Sequence, residues 1–174
     1  MIIAHDLGTT GNKASLHDDF GKIITHCTIS YPAHFGSGGV AEQNPNDWWD
    51  AIGVATKKLL SESKISINEI TGIGLSGQMM GAVLLDNEYQ PVRPAIIWAD
   101  YRSNPQAKEI LNQIPMADCY QELGHQLNPT YSITKAMWVR DNEPQIWEKV
   151  RHICNAKDFV NYRLTGKLVT DPSD

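Results

Sequence analysis

No apolar run in this sequence approaches the roughly 18 residues that a membrane span needs, so no membrane partner is expected. Cysteine is scarce: Cys27, Cys119 and Cys154 are odd in number, far apart and without C-x-x-C spacing. That pattern excludes a disulfide framework and points to buried or free thiols in a reducing cytoplasm. The six histidines show no metal-ligand spacing, which argues against a structural metal. Positive charge is neither abundant nor gathered, with 15 Lys and Arg against 20 Asp and Glu and a net charge of −5. Neutralising a nucleic-acid backbone needs a concentrated basic face, so no nucleic-acid partner is expected. Met1-Ile2-Ile3-Ala4 carries no basic leader and meets His5-Asp6 at once, so no signal peptide is expected and the location is expected to be cytoplasmic. Internal repeats and low-complexity segments are also missing.

What is present is an ordinary globular composition, 41% hydrophobic and 20% charged over 174 residues, a length that predicts one domain. Residues 1–5 and 13–17 read as short strands joined by a glycine–threonine turn, and 22–31 as a third strand. The connections are too short for crossovers, so the three should pair antiparallel. Residues 34–45 read as a loop on composition. A helix should then begin with Asn44 as cap, Pro45 at its first position and Asp47 at its positive end. Trp48, Ile52, Ala55 and Leu59 fall on one face, which should pack on a sheet. Residues 70–77 form an apolar strand reached through that helix and expected to run parallel to a neighbour. Residues 81–86 and 94–100 read as two more strands, 104–114, 132–142, 144–150 and 157–165 as helices, and 167–171 as one further strand. The sum is a mixed α/β sheet with flanking helices rather than a doubly wound parallel one.

Three stretches can carry chemistry. "DLGTTGNKASLHD", residues 6–18, sets glycines between two strands, which rules out a P-loop. Gly8 and Gly11 can take positive φ and turn backbone N–H groups inward as an anion nest, with Thr9 and Thr10 adding hydroxyls and Lys13 positive charge. Asp6 would repel a bare phosphate but suits one carrying Mg²⁺, which it can hold directly or through water. The competing view is an ordinary hairpin turn. In "GLSGQMMGAVLLD", residues 74–86, a strand ends at a tip of Gln78, Met79 and Met80, with small Ser76 and Gly77 letting a ligand approach; the competing view makes the methionines core filler. In "IIWADYRS", residues 96–103, Trp98, Asp100 and Arg102 alternate and in an extended chain would share a side. An indole face with a carboxylate and a guanidinium suits a polyol; the competing view is a surface Asp–Arg pair. The aromatics of 130–144 and 157–174 read mainly as core.

Together these stretches resemble the FGGY family of carbohydrate kinases, most closely its xylulokinase-like members. DLGTTGNK, AEQNPNDWW, GLSGQMMG, IIWADYRS, S-x-T-K-x-x-W and KDFVNYRLTGKLVTDPSD occur in order along essentially the whole chain. The resemblance implies a ribonuclease-H-like fold of the actin–hexokinase type and transfer of the γ-phosphate of Mg·ATP to a sugar hydroxyl, typically of a ketopentose such as D-xylulose. It places Asp6 at the Mg²⁺–phosphate site, Gly8, Thr9, Thr10, Gly11 and Lys13 at the ATP phosphates, and Gln78, Met79, Met80, Trp98, Asp100 and Arg102 on the sugar side. Members usually read Gln-Met-His-Gly where this chain has Met80, which bears on substrate identity; Thr130 and Ala136 also stand where bulkier residues are common. The family's general base, an aspartate in a glycine-rich stretch, has no counterpart up to residue 174. Asp171 and Asp174 lie in the match to a different motif and are not promoted to that role. The chain is therefore expected to be an incomplete N-terminal kinase domain, 1–174, with the nucleotide-binding domain absent and the isolated fragment inactive. Its expected partners are sugar and ATP, and the exposed apolar surface leaves room for a homodimer. Two other readings stay open: a non-catalytic sugar- or nucleotide-binding module, and an actin-like ATPase without a sugar partner.

Overall fold

The computed structural model describes residues 1–171. In chain order its strands are β1 (Ile2–Leu7), β2 (Gly11–His17), β3 (Ile23–Ser30), β4 (His34–Gly36), β5 (Val40–Gln43), β6 (Gly72–Gly77), β7 (Val83–Leu85), β8 (Ala95–Ile96) and β9 (His152–Cys154). Its helices are α1 (Pro45–Ser63), α2 (Asn104–Gln113), α3 (Met116–Leu123), α4 (Ser132–Asn142), α5 (Pro144–Trp147) and α6 (Ala156–Thr165). The described chain divides into two compact units: Met1–Ala33 with Asn44–Gln78 and Ala156–Asp171, and His34–Gln43 with Met79–Asn155.

The first unit is built on one four-stranded sheet, ordered β3-β2-β1-β6. β1–β2 and β2–β3 pair antiparallel and β1–β6 parallel, as the connection lengths predict. Alternation sends Ile3, His5 and Leu7 to one face of β1 and leaves Asp6 exposed on the other. α1 covers the buried face. It starts as its sequence predicts, with the Asn44 side chain accepting from the Asn46 amide at 3.1 Å and Pro45 in the first turn. Trp48, Ile52, Ala55 and Leu59 are all buried along it, and Ala55 and Leu59 pack in one cluster with Ile3, Ala14, Leu16 and Cys27. The three cysteines are buried free thiols, as expected.

The second unit has little regular sheet: β4-β5-β8 forms one antiparallel ladder and β7-β9 another. Its apolar cluster joins Ala82, Leu84, Ile96 and Val139, with Trp138 and Trp147 packed against them.

Four expectations need correction. Residues 34–45 are not simply a loop: β4 and β5 make a hairpin there, turned by Gly38 and Gly39 at φ of 72° and 85°. Glycine-rich composition hid the short alternation of Val40–Gln43, in which Ala41 and Gln43 point inward. The strands expected at 81–86 and 94–100 shrink to three and two residues and join the second unit's ladders rather than the main sheet. Residues 167–171 form no strand. Gly166, at φ 72°, ends α6, and Asp171 folds back onto Lys157 of that helix at 3.0 Å. Finally, α3 and β9 carry no expectation from sequence, although Pro115 and the left-handed Gly124 bracket α3 as helix punctuation should. Residues 172–174, at the end of the last motif, lie outside the described residues.

His5 supplies a pH test of the first unit. It is buried, contacting Asn12 Nδ2 through Nδ1 at 3.0 Å and Thr56 Oγ1 through Nε2 at 3.3 Å. Burial holds its imidazolium below the ordinary 6.5. The unfolded chain therefore binds the proton more readily, and stability is full above about 6.5 and falls as pH drops below it. Urea midpoints measured from about pH 7.5 down to about 5 should decline less steeply in His5→Gln than in the parent. Parallel curves would show that His5 does not titrate with unfolding.

Candidate functional site

The turn between β1 and β2 gathers Asp6, Gly8, Thr9, Thr10, Gly11 and Lys13 on one hairpin. Asp6 is exposed on the sheet face away from α1 and stands opposite Lys13 in the ladder. Ser76 of β6 is the parallel neighbour of Asp6, so a carboxylate, an ammonium and a hydroxyl lie side by side in register. The anion-nest expectation needs revision. Neither Gly8 nor Gly11 is among the glycines with positive φ, and the Gly8 N–H closes the turn onto the Gly11 and Asp6 carbonyls, each at 3.1 Å. Gly11 is required for a different reason: a Cβ there would meet the Ile29 carbonyl oxygen at 2.7 Å, where β3 crosses close behind. The turn's other polar groups are the Thr9 and Thr10 hydroxyls and the exposed Lys13 amine.

Tyr31, which the sequence reading passed over as the end of a strand, braces this turn. Its hydroxyl donates to the Gly8 carbonyl at 2.5 Å and its amide to the Thr10 carbonyl at 3.4 Å. Burial, reinforced by Asp6, pushes the Tyr31 phenol well above its usual range, so it stays protonated and donating. An aromatic closing the KIITHCTISY alternation was the only available signal.

Gln78 leaves the end of β6, its amide donating to the Leu7 carbonyl at 2.8 Å. In the second unit, Met79 is 43% exposed, so it is not core filler. Met80 holds φ at 60°, in the left-handed region that a side chain rarely adopts. Its carbonyl accepts from Lys135 Nζ at 2.9 Å. Lys135, on α4, is fully buried, and Nζ also donates to the carbonyls of Thr130 and, at 3.3 Å, Pro129. Burial draws its amine down to about 7, with Asp100 pulling the other way. The sequence held this lysine inside S-x-T-K-x-x-W without giving it a role.

Trp98, Asp100 and Arg102 do not share one side, because only Ala95–Ile96 is extended and the chain turns from Trp98 onward. Trp98 is 43% exposed whereas Asp100 is 1% exposed. The Asp100 carboxylate accepts from the Ala41 amide at 2.7 Å, the Arg102 amide at 2.9 Å and the Arg102 side chain. Arg102 also reaches Glu42 at 2.5 Å and lies over the Trp138 ring, and Arg93 joins Glu42 to Glu143. Burial acts to lower the Arg102 guanidinium, but the bonds to Asp100 and Glu42 outweigh it and hold it charged. Asp100 and Arg102 are therefore not a surface pair. They are an internal frame, and the β4–β5 hairpin missed in the sequence supplies half of it.

The sequence matches the N-terminal domain of the FGGY family of carbohydrate kinases over residues 1–174. The chain belongs to that family. It is 35% identical to a xylulose kinase of Bacillus subtilis, over 99% of this chain and 34% of that protein. The structure superposes on a xyloylose kinase from Brucella ovis with a TM-score of 0.88 at 34% identity, covering 95% of this chain and 34% of that one. A gluconate kinase from Lactobacillus acidophilus matches with the same TM-score at 28% identity, over 97% of this chain and 34% of that one. The chain spans about a third of the length of the relatives it matches. Its fold is therefore the mixed sheet of the actin–hexokinase-like sugar kinases, as the resemblance implied.

The hairpin's glycine gives a direct test of the site's frame. Gly11→Ala should cost about 1–3 kcal/mol, because the added methyl must push apart β2 and β3 backbone rather than a flexible side chain. Urea unfolding checks it; a variant as stable as the parent would show that the strands can separate there at no cost.

Proposed function

We propose that this chain is the N-terminal domain, residues 1–174, of an ATP-dependent sugar kinase acting on a ketopentose, with D-xylulose the first choice. The observation that carries this is the placement of Asp6, exposed beside Lys13 and Ser76 at the mouth of a turn rigidly closed by Gly8, Gly11 and Tyr31. Family membership and the kinase relatives support the same reading.

The residues fit a magnesium ion. Mg²⁺ is bound through one or two carboxylates while water and phosphate oxygens fill its other positions. Asp6 offers one such carboxylate at an open face. Bound there, Mg²⁺ would offset the charge of the triphosphate tail. Thr9, Thr10 and Lys13 would bind and orient its oxygens, and the Tyr31–Gly8 bond would keep the turn from relaxing. In the second unit, Met79, Met80 and Trp98 are the side chains proposed to meet the sugar, with Gln78 at the end of β6 beside them in sequence. Asp100 and Arg102, whose polar groups are engaged with Ala41 and Glu42, are proposed to hold this segment rather than to read hydroxyls.

Two variants of the natural protein, assayed by coupled ADP release over ketopentoses and polyols, test the reading. Asp6→Asn should lower kcat by 100-fold or more, about 3 kcal/mol of lost transition-state stabilisation, while the sugar KM stays within about twofold. Equal loss of sugar affinity would place Asp6 on the sugar instead. Met80→His restores the donor found in xylulokinase-like members and should raise kcat/KM for D-xylulose relative to other ketoses by about tenfold, the worth of one hydrogen bond to a hydroxyl. An unchanged ranking would remove Met80 from the pocket.

A further inference from the structure

The left-handed backbone at Met80 is a conformation that a methionine adopts only under constraint. The constraint is visible. Met80 and Gly81 lie in a stretch without regular ladder pairing, and the Met80 carbonyl is tied to Lys135, a side chain with no exposure to water. An ammonium has three N–H donors, and Lys135 directs them at three backbone carbonyls, those of Met80, Pro129 and Thr130. The far side of this junction is itself fixed. The Pro129 carbonyl accepts from Ser103 Oγ at 2.8 Å and Thr134 Oγ1 at 3.2 Å, and Ser103 and Thr134 contact each other at 3.0 Å. The Thr130 hydroxyl reaches the Met80 sulfur at 3.6 Å. Lys135 thus joins residue 80 to the segment at 128–131.

We propose that Lys135 is a positioning residue for the sugar: by binding the Met80 carbonyl it fixes the left-handed turn that presents Met79 and Met80. The inference rests on the proposed sugar role of those methionines. It does not require Lys135 to touch sugar or phosphate, and its burial excludes that. Losing the amine leaves three carbonyls with a missing donor and lets Met80 relax toward an ordinary conformation. The cost then falls on sugar binding rather than on the nucleotide.

The test compares Lys135→Met, which has the length but no donor, with Lys135→Gln, which keeps two N–H groups, in the natural protein. Lys135→Met should raise the sugar KM about tenfold while kcat and the ATP KM stay within about twofold; Lys135→Gln should fall between it and the parent. General damage to the fold would instead lower kcat and leave both KM values alone, and that result overturns the proposal. Met80→His measured alongside separates the two levels: if it moves sugar preference while folded Lys135→Met changes nothing, the positioning role fails and the sugar site stands. If neither moves any sugar parameter, the sugar site has failed and the positioning role with it. Should both lysine variants fail to fold, slow amine acylation of the unaltered protein decides. Bound D-xylulose should slow labelling of Lys135 at least threefold and leave exposed Lys58 unchanged, and equal rates at Lys135 would overturn the proposal.

Discussion

The parallel ladder between β1 and β6 is the constraint on which the candidate site depends. Parallel strands end in the same direction, so pairing Leu7 with Gly77 makes the β1–β2 turn and the Gln78 tip leave the same end of one sheet. Chemistry collects where parallel strands end together, because the loops that follow converge while the strands stay rigid. The ladder is tight at this point: a Cβ on Gly77 would sit 3.2 Å from that of Leu7. The Gln78 amide adds one more rung onto Leu7. α1 holds the ladder from behind, and its buried stripe sets which residues of β1 face water. Asp6 is exposed because Ile3, His5 and Leu7 are not.

The second unit solves a different problem. Its strands are too short to satisfy the backbone through ladders, yet its core side chains are as buried as the first unit's. Buried backbone groups need partners, and here charged side chains provide them. Asp100 takes the amides of Ala41 and Arg102, and Lys135 takes the carbonyls of Met80, Pro129 and Thr130. Each is fixed by further groups, Asp100 through Arg102 and Glu42, and Lys135 through Ser103 and Thr134 around Pro129. Satisfied networks of this kind hold irregular backbone in one conformation, and a left-handed methionine is what such a network can maintain.

Where local rules act alone, the sequence was legible. The cap and buried stripe of α1, the three antiparallel strands and the parallel β6 follow from capping chemistry, alternation and connection length. The turn between β1 and β2 was legible as a turn, but not in its geometry. Glycine suggested positive φ, whereas the structure uses Gly11 for close approach to β3, and nothing in the turn's own residues reveals a strand behind it. Alternation misled at Trp98, Asp100 and Arg102 because it presumes an extended chain, and the chain turns after Ile97. The β4–β5 hairpin escaped because glycine-rich composition masks its short alternation and one of its ties, the Ala41 amide to Asp100, spans 59 residues.

Asp6 and Asp100 show why residue type after a strand does not settle a role. Both follow apolar runs and both looked like ligand-facing carboxylates. One stands in water beside a lysine on a rigid ladder, able to meet a hard cation; the other is enclosed by an amide and a guanidinium and has its oxygens engaged. The difference has a consequence for how such a domain can change substrate. Lys135 holds Met80 by its backbone oxygen, so any residue that tolerates the left-handed conformation at position 80 keeps that bond. In the proposed sugar site the side chain at 80 can therefore be exchanged without disturbing the frame that presents it. Asp6 and the turn closed by Gly8 and Tyr31 belong to the other compact unit and need not change with it. A fold shared with both a gluconate kinase and a xyloylose kinase at a TM-score of 0.88 is consistent with that separation of frame from specificity.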